Sequence, residues 1–244
     1  MTRTDQTERA VEVIRPDGGS RIVLVCEHAS RHIPDAYGDL GLSEDARASH
    51  IAWDPGALAV ADGLSRRLDA VLIAGRLSRL IYDCNRPPEA PDAMPVRSEV
   101  FDIPGNVGLS DKERQARAEA IYVPFHDAVA AQLATRNAVL VTIHSFTPVY
   151  HGQKRTTEIG ILHDEDARLA DAMLALEHGP GIDRNSPYGP QDGVTHSLRK
   201  HALPAGLPNV MIEIRNDLIA TEAQQEAMAE RLHRWLTRAV ERLP

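Results

Sequence analysis

Ile22-Val23-Leu24-Val25-Cys26-Glu27-His28-Ala29-Ser30 is an apolar run that ends abruptly in a carboxylate and an imidazole. A short, unbroken apolar run reads as a strand buried on both faces. In α/β proteins, ligands gather at the carboxyl ends of such strands, so Glu27 and His28 stand where a site forms. The pattern recurs twice. Val139-Leu140-Val141-Thr142-Ile143 runs into His144-Ser145, and Val210-Met211-Ile212 runs into Glu213-Ile214-Arg215. Imidazoles and carboxylates delivered together by strand ends are the raw material of a metal-dependent hydrolase.

Working outward, residues 1–20 read as an extended, frayed N-terminal segment with a turn at Pro16-Asp17-Gly18-Gly19. Residues 43–49 read as a short helix capped by Ser43. Asp54-Pro55-Gly56 opens a longer helix to about Leu68, with Asp54 as N-cap and Pro55 at the first helical position. Residues 71–73 and 80–82 read as strands. Residues 86–108 are rich in proline, acid and glycine, a long connection of the kind that forms binding loops or lids. Residues 110–136 read as the longest helix, starting in a capping-box pattern at Ser110-Asp111-Lys112-Glu113. Strands over 138–143 and 158–162, a helix over 164–178, a polar loop over 181–193, a strand over 209–214 and a helix from Thr221 complete the chain. Alternating strands and helices predict an α/β fold, with a mostly parallel or mixed central sheet covered by helices on both faces. A single domain over residues 1–244 is expected.

The 244-residue chain is 43% hydrophobic and 25% charged, the profile of a globular protein. Its net charge of -8 argues against nucleic acid or an anionic membrane as partner. No apolar stretch approaches transmembrane length, and the polar N-terminus has no signal-peptide core. Cys26 and Cys84 are too few for a disulfide framework and read as buried free thiols, which fits a cytoplasmic location. Homo-oligomerisation is left open.

His28 and His144 are candidate metal ligands. A catalytic zinc takes three protein ligands and leaves a position for water. The third ligand is Asp54 or Glu27. Asp54 competes with its own reading as a helix cap, and Glu27 adjoins His28, so that a regular strand would turn the two to opposite faces. Glu213 lies among apolar residues, where a carboxylate must be paired or perform chemistry. It is either the partner of Arg215, two residues on, or a general base, and the two readings weigh evenly. Asn85-Arg86, with Arg79 upstream, suggests an anionic substrate, because arginine grips carboxylates through a planar fork. Ser145, Tyr188, His196 and Arg215 are further candidates for substrate contact. His126 reads as structural or as a support to the site.

Taken together, Cys26-Glu27-His28-Ala29-Ser30, His50-Ile51-Ala52-Trp53-Asp54-Pro55-Gly56, Ser78-Arg79-Leu80 with Asp83-Cys84-Asn85-Arg86-Pro87, Pro124-Phe125-His126, Ile143-His144-Ser145-Phe146 and Glu213-Ile214-Arg215-Asn216-Asp217 resemble the N-formylglutamate amidohydrolase family. That family is itself similar to zinc carboxypeptidases and aspartoacylases. The resemblance implies a phosphorylase/hydrolase-like α/β fold and one divalent metal, zinc, held by His28, His144 and Asp54, with Glu27 as the alternative carboxylate. It implies substrate recognition by Asn85 and Arg86, and Glu213 as the catalytic base, with Arg86 a further catalytic candidate at the oxyanion. Arg31 stands where the carboxypeptidase His-x-x-Glu pattern has glutamate. The implied reaction is hydrolysis of a small N-acylated acidic amino acid, with N-formyl-L-glutamate giving formate and glutamate. The alternatives are an amidase for another N-acyl amino acid or peptide fragment, and a small-anion-binding protein that has lost its metal.

Overall fold

Every residue of the strand Ile22–Cys26 is buried, and its side chains divide between two cores. The structure, a computed structural model, describes residues 9–243. Along the chain it forms β1 (Val11–Ile14), β2 (Ile22–Cys26), α1 (Glu44–Ala48), α2 (Ala57–Leu68), β3 (Val71–Gly75), β4 (Arg97–Ser98), β5 (Phe101–Asp102), α3 (Asp111–Arg117), α4 (Val123–Ala134) and β6 (Val139–Phe146). There follow β7 (Val149–Tyr150), β8 (Gln153–Lys154), β9 (Ile159–Leu162), α5 (Arg168–Leu176), β10 (Ile182–Arg184), β11 (Asn209–Arg215) and α6 (Glu222–Val240).

A 7-stranded sheet runs in the order β1-β3-β2-β6-β11-β9-β10. The pairs β3–β2, β2–β6, β6–β11 and β9–β10 are parallel, whereas β1 and β9 run antiparallel to their neighbours β3 and β11. The sheet is therefore mixed and mostly parallel, as expected. The period of two along each strand assigns side chains to faces. Val23, Val25, Leu140 and Met211 join a core with Phe125, Val129 and Leu133 of α4. The alternate residues Leu24, Val141, Ile143, Val210 and Ile212 join a core with Val60 and Leu64 of α2, Met173 of α5 and Trp235 of α6. Trp235 Nε1 donates to the Met173 carbonyl at 2.7 Å, so the largest buried ring leaves no polar atom unpaired.

Local signals hold at several helix starts. Ser43 accepts from the Ala46 amide, Ser110 and Glu113 form a capping box, and Thr221 with Gln224 forms another. The helix expected over 110–136 is a helical run from Asp111 to Ala134, interrupted by a π-turn at Ala118–Tyr122 between α3 and α4.

Other expectations are corrected. Asp54 does not cap α2 with its side chain; the N-cap is Gly56, at φ 82, where an added Cβ would lie 2.6 Å from the Ile219 carbonyl oxygen. The helix therefore starts at Ala57, and the Asp54 carboxylate is free for other partners. Residues 80–82 form a turn and the start of a loop rather than a strand. They are apolar because they pack into the α4-side core, and Ser78 fixes the turn by donating to the Ala52 carbonyl. Part of the N-terminal segment is edge strand β1, paired to β3 over Val11–Ile14; residues 1–8 lie outside the described residues. Residues 86–108 hold the β4–β5 hairpin, and residues 181–193 contain β10. Helix α5 is shorter than residues 164–178, and β6 continues through His144 to Phe146. No helix among the described residues is long and apolar enough to cross a membrane.

Candidate active site

The face that carries Val25, Leu140 and Met211 carries Glu27, His144 and Glu213 at its carboxyl end. The register makes this a row across three adjacent strands: Val25 pairs with Thr142, and His144 pairs with Glu213. Period-two geometry thus turns three separate sequence signals into one cluster. At this end β3 must pass close to β2. A Cβ on Gly75 would fall 2.1 Å from the Glu27 carbonyl oxygen, so only glycine fits.

His28 and Asp54 come from loops stitched to this edge. The Asp54 amide donates to the His28 carbonyl at 2.9 Å. The Asp54 carboxylate is then the hub. Its Oδ2 lies 3.3 Å from His28 Nδ1, 2.9 Å from His144 Nδ1 and 3.2 Å from the Ser145 amide. The far nitrogen of each imidazole faces a second carboxylate. His28 Nε2 is 2.7 Å from Asp83 Oδ1, and His144 Nε2 is 3.0 Å from Glu27 Oε2. Arg79 bridges Asp83 at 2.5 Å and Asp54 at 3.5 Å. All of these groups except Arg79 are buried.

This donor set fits a divalent cation. If the outer nitrogens carry their protons toward Asp83 and Glu27, two Nδ1 lone pairs converge on Asp54 Oδ2. Electron-rich atoms gathered at one point require either extra protons or a metal. With neutral imidazoles, Glu27, Asp54 and Asp83 outweigh the charge of Arg79, a costly buried excess that a dication removes. Backing each ligating histidine with a carboxylate is also how metal sites fix tautomer and ring orientation. His28, Asp54 and His144 place one ligand atom each within 4.8 Å of one another and could hold a metal ion. Without one, the charges compensate through protons. Burial alone would raise Glu27, but His144 overrides it and holds it at about 2. Burial would also lower His144, but Glu27 and Asp54 push it well above the usual imidazole range.

Glu213 behaves differently. Burial pushes it up to about 7, against the opposing charge of His144. Its Oε2 has no hydrogen-bond partner among the described residues and is buried in the wall of a cavity of about 330 Å³. Arg215 does not pair with it. That guanidinium instead bonds Asp217 at 2.8 Å and Glu158 at 3.4 Å, outside the cavity lining, so the ion-pair reading of Glu213 is overturned.

The remaining candidates divide. Arg79, Asn85, Arg86, Ser145 and Tyr188 line the cavity with His28, Asp54, His144 and Glu213. The Asn85 amide is already engaged, its Nδ2 with the Val194 carbonyl and its Oδ1 with the Ser197 amide. Arg86 donates to Asp92 at 2.6 Å and to the Gly193 carbonyl at 3.1 Å. Ser145 Oγ donates to the Pro55 carbonyl at 2.8 Å. His196 is not in the lining; its Nε2 lies 2.9 Å from the Tyr122 hydroxyl. Asp83 is the residue that sequence reasoning missed. Its signal was present, since an acid directly after the apolar run 80–82 in a segment bearing Asn85-Arg86 is a buried carboxylate in need of partners. The hairpin turn contributes Glu99, which pairs at 2.8 Å with His50, another lining residue that had no assigned role.

Behind Asn85, His126 Nε2 is 2.9 Å from the Cys84 carbonyl and Nδ1 is 2.7 Å from His201 Nε2, the structural role expected of it. Burial pushes His126 down to about 3, and His196 and His201 down to about 4. These histidines are neutral when folded but take up protons near pH 6.5 when unfolded. Their contribution to stability is therefore full above that pH and is lost as pH falls toward about 4. Denaturant melts should show His126→Gln shrinking the loss between pH ~6.5 and ~4.5 by about 2–3 kcal/mol. An unchanged pH dependence in the variant would refute the buried neutral histidine.

Comparison with known proteins agrees with this architecture. The family model described as N-formylglutamate amidohydrolase matches residues 20–220. A crystal structure of a gene product from Agrobacterium tumefaciens is 58% identical, covers 97% of each chain and superposes with a TM-score of 0.94. The N-formylglutamate amidohydrolase from Ralstonia eutropha JMP134 shares the fold at 17% identity, with a TM-score of 0.63 over 94% of this chain and 98% of its own. No curated protein matches the chain.

Proposed function

Because the chain belongs to the N-formylglutamate amidohydrolase family, we propose that its cavity hydrolyses the amide bond of a small N-acylated acidic amino acid, with N-formyl-L-glutamate yielding formate and glutamate. The observation that carries this reading is Glu213: a buried carboxylate with an unpartnered oxygen, pushed up to about 7, in the same cavity wall as a three-residue metal-binding group.

His28, Asp54 and His144 would hold the metal, and two imidazoles with one carboxylate suit zinc. When bound, zinc supplies Lewis-acid polarisation of a carbonyl and lowers the pKa of water. Asp83 and Glu27 hold the two imidazoles in orientation. Glu213 accepts the proton of the attacking water at its free oxygen. As the C–N bond breaks, Glu213 passes that proton to the departing nitrogen, leaving formate and the free amino acid. Arg86, its charge partly offset by the exposed rim acid Asp92, lends what remains to one substrate carboxylate and to the oxygen charge that develops during attack. Ser145 and Tyr188 shape the walls, while Asn85 positions the Val194 and Ser197 segment against the cavity. The buried free thiols Cys26 and Cys84 accord with a reducing, cytoplasmic setting.

The test is formate release from N-formyl-L-glutamate by the purified protein, with metal analysis of the same sample. Activity with close to one zinc per chain, lost on chelation and restored by zinc, is expected. Full activity in metal-free protein would sink the metal assignment, and absence of formate from the zinc-loaded protein would sink the substrate.

A further inference from the structure

A dianionic substrate needs positive charge that is not already spent. In the main cavity Arg79 is paired with Asp54 and Asp83, Arg86 with Asp92, and Arg97 with Asp102. Arg155, between β8 and β9, is different. No carboxylate among the described residues pairs with it, and its guanidinium carbon sits 4.5 Å from the centroid of Tyr150, 4.9 Å from that of Tyr188 and 5.4 Å from that of Phe146. Nη2 donates to the Tyr188 hydroxyl at 2.8 Å and Nη1 to the Thr147 carbonyl at 3.3 Å. Nη1 also reaches Thr147 Oγ1 at 3.5 Å, which leaves Nε–H and one Nη2 hydrogen without an acceptor among the described residues.

Arg155 lines a second cavity of about 670 Å³ that shares Arg86, Tyr150, Tyr188 and Val194 with the first. Lys154 lines it too. The carboxylate there, Asp192, is occupied by the Gly189 amide and the Gln191 side chain. The two compartments therefore adjoin across Tyr188, with the cleavage chemistry on one side and a half-buried cation without a counter-ion on the other. The aromatic rings fix the plane of the guanidinium without neutralising it, so little ordering cost remains when an anion arrives.

We propose that Arg155 is a specificity-determining residue that receives the side-chain carboxylate of the substrate, an assignment that rests on the amidohydrolase reading above. It makes the enzyme selective for N-acyl amino acids with an acidic side chain over the corresponding amides, because an uncharged side chain leaves the Arg155 charge without a partner. The experiment compares N-formyl-L-glutamate with N-formyl-L-glutamine in the wild type, Arg155→Met and Arg155→Lys. The wild type should favour the glutamate compound by at least about tenfold in kcat/KM. Arg155→Met, which keeps an apolar stem between the rings, should abolish that preference by raising KM for the glutamate compound alone, and Arg155→Lys should keep part of it. A kcat loss shared by both compounds would mark Arg155 as a mere clamp of the β7–β8 hairpin, and an unchanged preference would equally overturn the assignment. Calorimetry with glutarate and its monoamide supplies a readout without turnover. If neither formyl compound is cleaved, the amidohydrolase reading fails. Tighter glutarate binding that disappears in Arg155→Met would still uphold the cation site, whereas equal binding in the wild type would remove it.

Discussion

Glu213→Gln should lower turnover of N-formyl-L-glutamate by about 10³-fold while leaving KM nearly unchanged. The amide keeps the shape of the side chain but cannot accept a proton from water. The same substitution should not weaken the fold. Burial raises the folded-state pKa of Glu213 from 4.5 to about 7, so the folded protein holds a proton that the unfolded chain releases above its own lower pKa. Glu213 therefore costs stability as pH rises past that point. Metal-stripped Glu213→Gln protein should melt no lower than metal-stripped wild type at pH 8. The pH profile of kcat/KM should rise with pH as Glu213 ionises. A cation on the neighbouring ligands favours the ionised form, so this limb should lie at or below pH ~7 in the loaded enzyme. Variant protein that retains turnover, or that unfolds while activity per folded molecule persists, would return Glu213 to a structural role.

Asp54→Asn should abolish metal retention. Asp54 Oδ2 is the point on which His28 Nδ1, His144 Nδ1 and the Ser145 amide converge. Removing a carboxylate that merely backs a ligating histidine costs about 10–100-fold in metal affinity, so loss of the ligand itself should exceed ~100-fold. Dialysed variant should carry no stoichiometric zinc and release no formate, whereas Glu27→Gln should lose only the smaller, outer-partner share. Zinc content measured on both variants separates the roles. If Glu27→Gln loses zinc and Asp54→Asn keeps it, the two carboxylates exchange places.

The reach of the sequence is clearest at these positions. His28, His144 and Glu213 were legible because a polar residue terminating a buried strand has few bland explanations; the period of two places His144 and Glu213 on one face with Glu27, whereas His28 turns in from the loop beyond β2. Asp54 was ambiguous because Asp-Pro-Gly is a sound local recipe for a helix start. The tertiary demand of two imidazoles wins over it, and Gly56 takes the cap at a positive φ that only glycine adopts easily. Asp83 stayed hidden because the preceding apolar residues imitate a strand, although they serve the core beneath the cavity. The Glu213–Arg215 pairing failed because Arg215 sits where the strand leaves the sheet and finds Asp217 and Glu158 first. Strands β1 and β10, of 4 and 3 residues, lack the length for a periodic signal and exist through pairing with β3 and β9. Arg155 was not singled out because its contacts with Phe146 and Tyr150 depend on the fold of the β7–β8 hairpin, and Tyr188 comes from a distant segment of the chain.

The order β6-β11-β9 has a consequence for biosynthesis. Strand β11 is slotted between two strands made earlier. A nascent chain that has not yet released residues 209–215 from the ribosome has the edges of β6 and β9 open to other strands, and it lacks Glu213. His28, Asp54 and His144, all earlier in the chain, are synthesised first, and Glu213 arrives with the strand that closes the gap. Completion of the candidate site and protection from edge-to-edge aggregation are thus acquired in the same step of folding.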